Sequence, residues 1–216
     1  MATTPARLLL LRHPETDWNR EGRWQGHSDL PVNARGRAQM AEALASLPPE
    51  RWAAIYTSDL LRARETADWL GARLGIPPRA SATLRERRMG AWEGMTPEEA
   101  RAASPDVYPR VEADLWREPP PGGESFAELL ARVAPELERI AGDHAGEAVL
   151  VVTHGGILKA VLCVLLDLDF TRREELGMAN GAQALLEAAG RRWTLLKPSD
   201  LAVRQKRHDL DAQALR

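Results

Sequence analysis

Three short apolar runs, each followed at once by residues able to do chemistry, constrain this chain more than any other feature. Residues 8–11 are four leucines that lead into Arg12-His13. Residues 53–57 (AAIYT) lead into Ser58 and a helical pattern carrying Arg62. Residues 148–153 (AVLVVT) lead into His154-Gly155-Gly156 and an apolar helix at 157–166. Runs this short and this apolar, rich in β-branched residues in the third case, read as strands buried on both faces. Helical patterns separate them. Strands alternating with helices predict an α/β, three-layer sandwich: a mostly parallel central sheet with helices on both faces. In such folds ligands bind beyond the carboxyl ends of the strands, so the three polar clusters should converge at one edge of the sheet.

Punctuation along the chain fits this reading. Residues 12–34 form a long polar loop, and loops of that length in a compact domain are usually functional. A helix is predicted over 35–47, stopped by Pro48-Pro49. Ser58 is expected to cap a helix that runs to Leu74 and ends at Gly75. A short strand is expected at 79–82. Thr96-Pro97-Glu98-Glu99 and Ser125-Phe126-Ala127-Glu128 are capping boxes, the second opening a helix to about Ala141 that Pro135 should kink. Residues 182–188 and 192–196 read as a terminal pair of strands. We expect one domain over 1–216, with a pocket-covering insertion at about 95–121 and a peripheral tail after about 197.

Composition narrows the function classes. With 216 residues and a formal net charge of -2, the chain gives no electrostatic reason to bind nucleic acid or an anionic membrane. The single cysteine, Cys163, lies in an apolar run and cannot form an internal disulfide. The four leucines near the start are too few for a signal-peptide core or a membrane span, so the expected setting is cytoplasmic. The histidines and carboxylates show no zinc or EF-hand spacing, and no metal is expected.

A phosphate-ester cleaver working without a metal needs fixed donors and positive charge around the phosphoryl oxygens. Arg12, Arg62 and Asn19 offer these, with backbone amides of the helix after His154. It needs a nucleophile, and a neutral imidazole serves if its other nitrogen donates to a carbonyl. It also needs an acid for the leaving oxygen, and a carboxylic acid beside a bound anion is held in its protonated form. Taken singly, each candidate has a plainer reading. Arg62 would be a solvated charge, His154 a structural histidine, Asn19 a turn residue, and Glu86 an ion-pair partner among Arg85, Arg87 and Arg88.

Their joint order overrides the plainer readings. Leu11-Arg12-His13-Pro14-Glu15-Thr16 resembles the LRHGET signature of the histidine phosphatase superfamily, the phosphoglycerate mutase-like family. Asn19 and Arg23-Trp24-Gln25-Gly26 resemble its phosphate loop. Residues 56–63 with Glu65-Thr66-Ala67, residues 84–86 through 90–94, residues 121–125, and Val152-Thr153-His154-Gly155-Gly156 match further motifs in family order. The resemblance implies that His13 is the phosphorylated nucleophile. It places Arg12, Arg62, His154 and Asn19 around the phosphoryl group, and has Glu86 protonate the leaving group and then activate water. It sets Gln25 and Gly26 on the substrate side with Arg23 close by, and requires no cofactor for hydrolysis. The implied partner is a small phosphorylated metabolite. Many members are dimers, which admits a homodimer.

Hydrolases and mutases of this family share the phosphohistidine step. Mutases carry a Glu-Arg-His-Tyr-Gly-like segment, whereas this chain reads Glu86-Arg87-Arg88-Met89-Gly90. Together with residues 90–94 and PGGES, this resembles the small phosphatases, among them the alpha-ribazole and broad-specificity phosphatases. The expected activity is phosphomonoester hydrolysis, with a phosphoglycerate mutase and a non-catalytic phosphate binder as alternatives. One departure stands beside the nucleophile: Pro14 replaces the signature glycine. If that position needs positive φ or its N–H, the loop must differ; if it turns with negative φ, proline stiffens it.

Overall fold

The structure, a computed structural model, describes residues 4–198, 201, 204–211 and 213. Six strands, β1 (Ala6–Arg12), β2 (Trp52–Ser58), β3 (Pro78–Ser81), β4 (Ala148–Thr153), β5 (Gln183–Ala189) and β6 (Arg192–Lys197), form one sheet in the order β3-β2-β4-β1-β5-β6. β3, β2, β4 and β1 are mutually parallel, whereas β5 pairs antiparallel with β1 and β6 antiparallel with β5. The sheet is therefore mixed, with its parallel part at the site.

The apolar runs explain why β1 and β4 lie at the centre. Side chains alternate between faces, and here both faces are apolar. Leu8, Leu10, Val149 and Val151 enter one buried cluster with α6 (Phe126–Asp143) and α7 (Gly155–Leu166). Leu9, Leu11, Leu150 and Val152 enter the other. There they meet α2 (Ala34–Ala45) and α3 (Leu61–Leu74), which supply Ala43, Ala63, Ala67 and Leu70. Burying one such leucine is worth about 1.5–3 kcal/mol. A polar substitution on either face would therefore be felt across the whole sandwich.

The remaining helices are short: α1 (Asp17–Arg20) inside the long loop, α4 (Pro97–Ala103) and α5 (Tyr108–Ala113). Both predicted capping boxes are present, Thr96 opening α4 and Ser125 opening α6. α6 runs on past Pro135. Gly75 ends α3 with φ of 72°, a conformation that favours glycine. Ser58 does not cap α3. It is the last residue of β2, and the helix begins after Leu60 with no side-chain cap. The Leu61 amide instead donates to Asp29 Oδ1 at 2.6 Å, so the long loop caps the helix from a distance. Beyond Lys197, Leu201 and Leu210 are buried in the α6/α7 cluster, and Gln205 bonds the backbone of Trp193 and Leu195. Among the described residues no helix is long and apolar enough to cross a membrane.

Candidate active site

Register brings the polar clusters together. Arg12 pairs with Thr153 across β1 and β4, and the His13 amide donates to the Thr153 carbonyl at 2.9 Å. His13 and His154 thus leave neighbouring parallel strands side by side. Their ring centroids are 5.2 Å apart, edge to face. Thr57 of β2 flanks Val152, which sets the start of α3 and Arg62 against the same edge.

His13 is 2% exposed. Its Nδ1 lies 2.7 Å from the carbonyl of Pro14. A carbonyl only accepts, so Nδ1 carries the proton and Nε2 keeps its lone pair. Burial, then the charges of Arg62 and Arg12, hold the imidazole well below its usual pKa of 6.5 despite the Pro14 bond. It is neutral near pH 7, as a nucleophile must be. Pro14 contributes the one backbone group this arrangement needs, its carbonyl.

His154 is fully buried, and neither ring nitrogen has a partner. Burial, then Arg62, His13 and Arg12, push it down as well. Arg62 is equally buried. Its terminal nitrogens donate to the carbonyls of Ser28 and Gly26, both at 2.8 Å, leaving Nε free. Burial lowers its pKa to about 10, so it stays cationic at neutral pH. Arg12 donates Nη1 to the Met178 carbonyl at 2.6 Å and also leaves Nε free.

Arg12, His13, Asn19, Arg23, Gln25, Gly26, Arg62 and Glu86 all line one cavity of about 230 Å³. His154 is not in its wall and lies against His13 instead. Asn19 Oδ1 accepts from the Thr16 amide and hydroxyl and from Asn180, so its Nδ2 is what remains for a ligand. Arg23 sits at the rim, committed to Glu99 and the Gly94 carbonyl. Gly26 holds φ of 51° and supplies a carbonyl to Arg62. Glu86 Oε1 accepts from the Arg87 amide at 2.8 Å and Oε2 from the Gly156 amide at 3.0 Å. One amide expected to meet phosphate is thus used to orient the acid. Among the described residues no group of three or more His, Cys, Asp or Glu side chains is placed to hold a metal ion.

Several residues complete the site that the motifs did not single out. Asn180 donates to the His13 carbonyl at 3.0 Å and to Asn19 Oδ1 at 3.1 Å. His27 Nε2 bonds the Glu86 carbonyl at 2.9 Å. Arg132 donates to the carbonyls of Thr83, Arg85 and Glu86 while paired with Glu124. Each acts through distant backbone groups, so no local pattern marks it. Arg87 is one of three arginines at 85–88, and it is the buried one. Trp24 lines the cavity and stacks on buried Trp92, while Trp116 packs against Phe170. Of residues 95–121, Leu115 reaches the cavity wall.

A family profile described as the histidine phosphatase superfamily, branch 1, matches residues 8–201. The chain is 37% identical over 163 residues to phosphoglycerate mutase-like protein 4 of Arabidopsis thaliana, covering 72% of this chain and 69% of that one. It is 35% identical over 203 residues to the metal-independent phosphoserine phosphatase of the same plant, covering 90% and 82%. The solved structure of a mycobacterial glucosyl-3-phosphoglycerate phosphatase in complex with VO3 superposes with a TM-score of 0.76 at 32% identity. That match covers 88% of this chain and 97% of the other.

Proposed function

Because the chain belongs to the histidine phosphatase superfamily, we propose that it is a metal-independent phosphomonoester hydrolase whose phosphoryl group passes through His13. One observation carries this reading: the buried side-chain nitrogens left without partners. Arg12 and Arg62, each with an unpartnered Nε, line the cavity, and His154, with neither ring nitrogen partnered, packs beside the His13 ring. A buried donor left unmade costs about 1–3 kcal/mol. A phosphoryl group in the cavity lies between the two arginines that line it and is stabilised by two cations.

The chemistry follows from the bonds present. His13 Nε2 attacks phosphorus while Nδ1–H stays on the Pro14 carbonyl. The ester P–O bond breaks, and the leaving oxygen takes the proton of the Glu86 carboxylic acid. Glu86, now a carboxylate, removes a proton from water, whose oxygen attacks phosphorus. The P–N bond breaks, phosphate leaves and His13 is restored. Relatives named phosphatases, and Met89 in place of the mutase tyrosine, support hydrolysis over mutase transfer. The substrate we propose is a small phosphorylated metabolite, since the cavity is below the roughly 300–1,000 Å³ of drug-sized sites.

The test measures phosphate release from p-nitrophenyl phosphate in EDTA, beside interconversion of 2- and 3-phosphoglycerate with and without bisphosphoglycerate. Hydrolysis is expected to persist in chelator and exceed mutase turnover. Mutase turnover far above hydrolysis would overturn the assignment.

A further inference from the structure

The structure assigns a positioning role to Glu93: its carboxylate fixes residues 26–28, and through them the Arg62 guanidinium that serves the phosphoryl group. The inference rests on the phosphatase reading above and names a residue that its mechanism does not use. Glu93 follows a 3-10 turn (Gly90–Trp92), is partly buried and is not in the cavity wall, so it acts through its neighbours.

Two of its three bonds go to the loop that Arg62 holds. Oε1 accepts from the His27 amide at 2.9 Å, and Oε2 from the Ser28 hydroxyl at 3.0 Å. The third, from the Met89 amide to Oε1, is longer at 3.3 Å. Arg62 grips the same loop through the Gly26 and Ser28 carbonyls, both at 2.8 Å. The Gly26–His27 peptide thus offers its carbonyl to a guanidinium and its N–H to a carboxylate. A trans peptide points these two groups in opposite directions, so its dipole is aligned between the two charges. Both bonds are charge-assisted, and members of such a chain strengthen one another. The fit is close. A Cβ on Gly26 would sit 2.7 Å from Glu93 Cδ, and Gly26 also holds φ of 51°.

The arrangement meets two opposed needs of Arg62. A buried cation needs compensating charge, yet a carboxylate in direct contact would occupy donors that a phosphoryl group uses. Among the described residues Arg62 forms no ion pair, and its terminal nitrogens bond carbonyls only. Burial lowers its pKa, and Glu86, Asp29 and Glu93, in that order, oppose the fall. In the mechanism above Glu86 carries a proton when the ester bond breaks, so its charge lapses at that step. Asp29 is exposed and caps the Leu61 amide. Glu93 supplies lasting charge one peptide away. The acid loop has other anchors: Arg132 holds the carbonyls of Thr83, Arg85 and Glu86, and two amides hold the Glu86 carboxylate.

Orthovanadate tests this. It takes up a fifth ligand as the transferring phosphoryl group does, and its inhibition constant does not depend on how much of a variant is folded. Glu93→Ala is expected to lower kcat/KM about tenfold, the scale of one charged hydrogen bond, and to raise the vanadate inhibition constant by a similar factor. The loss should be equal on p-nitrophenyl phosphate and on an alkyl phosphomonoester, because Arg62 serves both leaving groups. In an Arg62→Lys background Glu93→Ala should cost distinctly less. An unchanged vanadate constant overturns the inference. So does a full loss in the Arg62→Lys background, or a loss confined to the alkyl ester, which would assign Glu93 to the acid loop instead. Should Glu93→Ala not fold, Glu93→Gln decides: it keeps an acceptor for the amides and removes the charge. It should raise the vanadate constant about threefold, and no rise overturns the inference. Wild-type turnover of p-nitrophenyl phosphate beside any of these results leaves the phosphatase reading standing. A wild type that turns over no phosphomonoester removes both.

Discussion

Replacing Gly156 by alanine would place a methyl group where the Glu86 carboxylate now sits. A Cβ built on Gly156 overlaps Glu86 Oε1 deeply and also crowds its Cδ at 3.0 Å. The carboxylate would have to retreat by about 1 Å, and a misplacement of that size near reacting atoms costs about 10²-fold in rate. It would also lose the bond from the Gly156 amide, now 3.0 Å, which is charge-assisted and worth about 1.5–3 kcal/mol. All the atoms that must give way belong to the end of one flexible side chain in the cavity wall, so the fold itself should lose little stability. The informative assay compares two leaving groups. p-Nitrophenolate leaves without much help from an acid, whereas an alkoxide depends on it. Gly156→Ala should therefore lower kcat about 10²-fold on an alkyl phosphomonoester and distinctly less on p-nitrophenyl phosphate. Equal losses on both, or no loss on either in folded protein, would refute the placement of Glu86 as the leaving-group acid.

Two further outcomes follow from the same geometry. Asn180→Ala removes the bonds to the His13 carbonyl and to Asn19, and should reduce kcat/KM about tenfold at one to two hydrogen bonds. Unchanged steady-state kinetics would show that Asn180 does not position the loop. His13 and His154 both have folded-state pKa values below the usual 6.5, so the unfolded chain binds protons first as pH falls. Stability is then complete above about 6.5 and falls below it by up to roughly 1.4 kcal/mol per pH unit for each histidine. Urea denaturation at pH 7.0, 6.0 and 5.5 reads this directly, and the slope should shrink in His154→Gln.

Much of this arrangement is legible in the residues, for physical reasons. β1 and β4 announce themselves because a strand buried on both faces has to be apolar throughout. Both capping boxes form because their partners are three residues apart. Gly75 ends its helix through a property of its own backbone. Ser58 misleads for the opposite reason: the helix starts only after Leu60, and its first amide, that of Leu61, is met by Asp29 from the long loop. His27, Asn180 and Arg132 were equally hidden, since each serves a carbonyl far away in the chain. Arg87 illustrates the limit of composition. Arg85 pairs with Asp59 and Arg88 is exposed, while Arg87 between them is buried in the cavity wall. Pro14 shows the reverse, a departure that the fold absorbs because the site uses its carbonyl and not an N–H.

The central claim is that phosphate rests on His13 during turnover. Rapid quenching of enzyme and substrate, followed by peptide mass spectrometry under alkaline conditions that preserve phosphohistidine, tests it most directly. The account predicts a single acid-labile phosphate on His13, lost in His13→Asn together with turnover. Phosphate on another residue, or full turnover by folded His13→Asn, would contradict it.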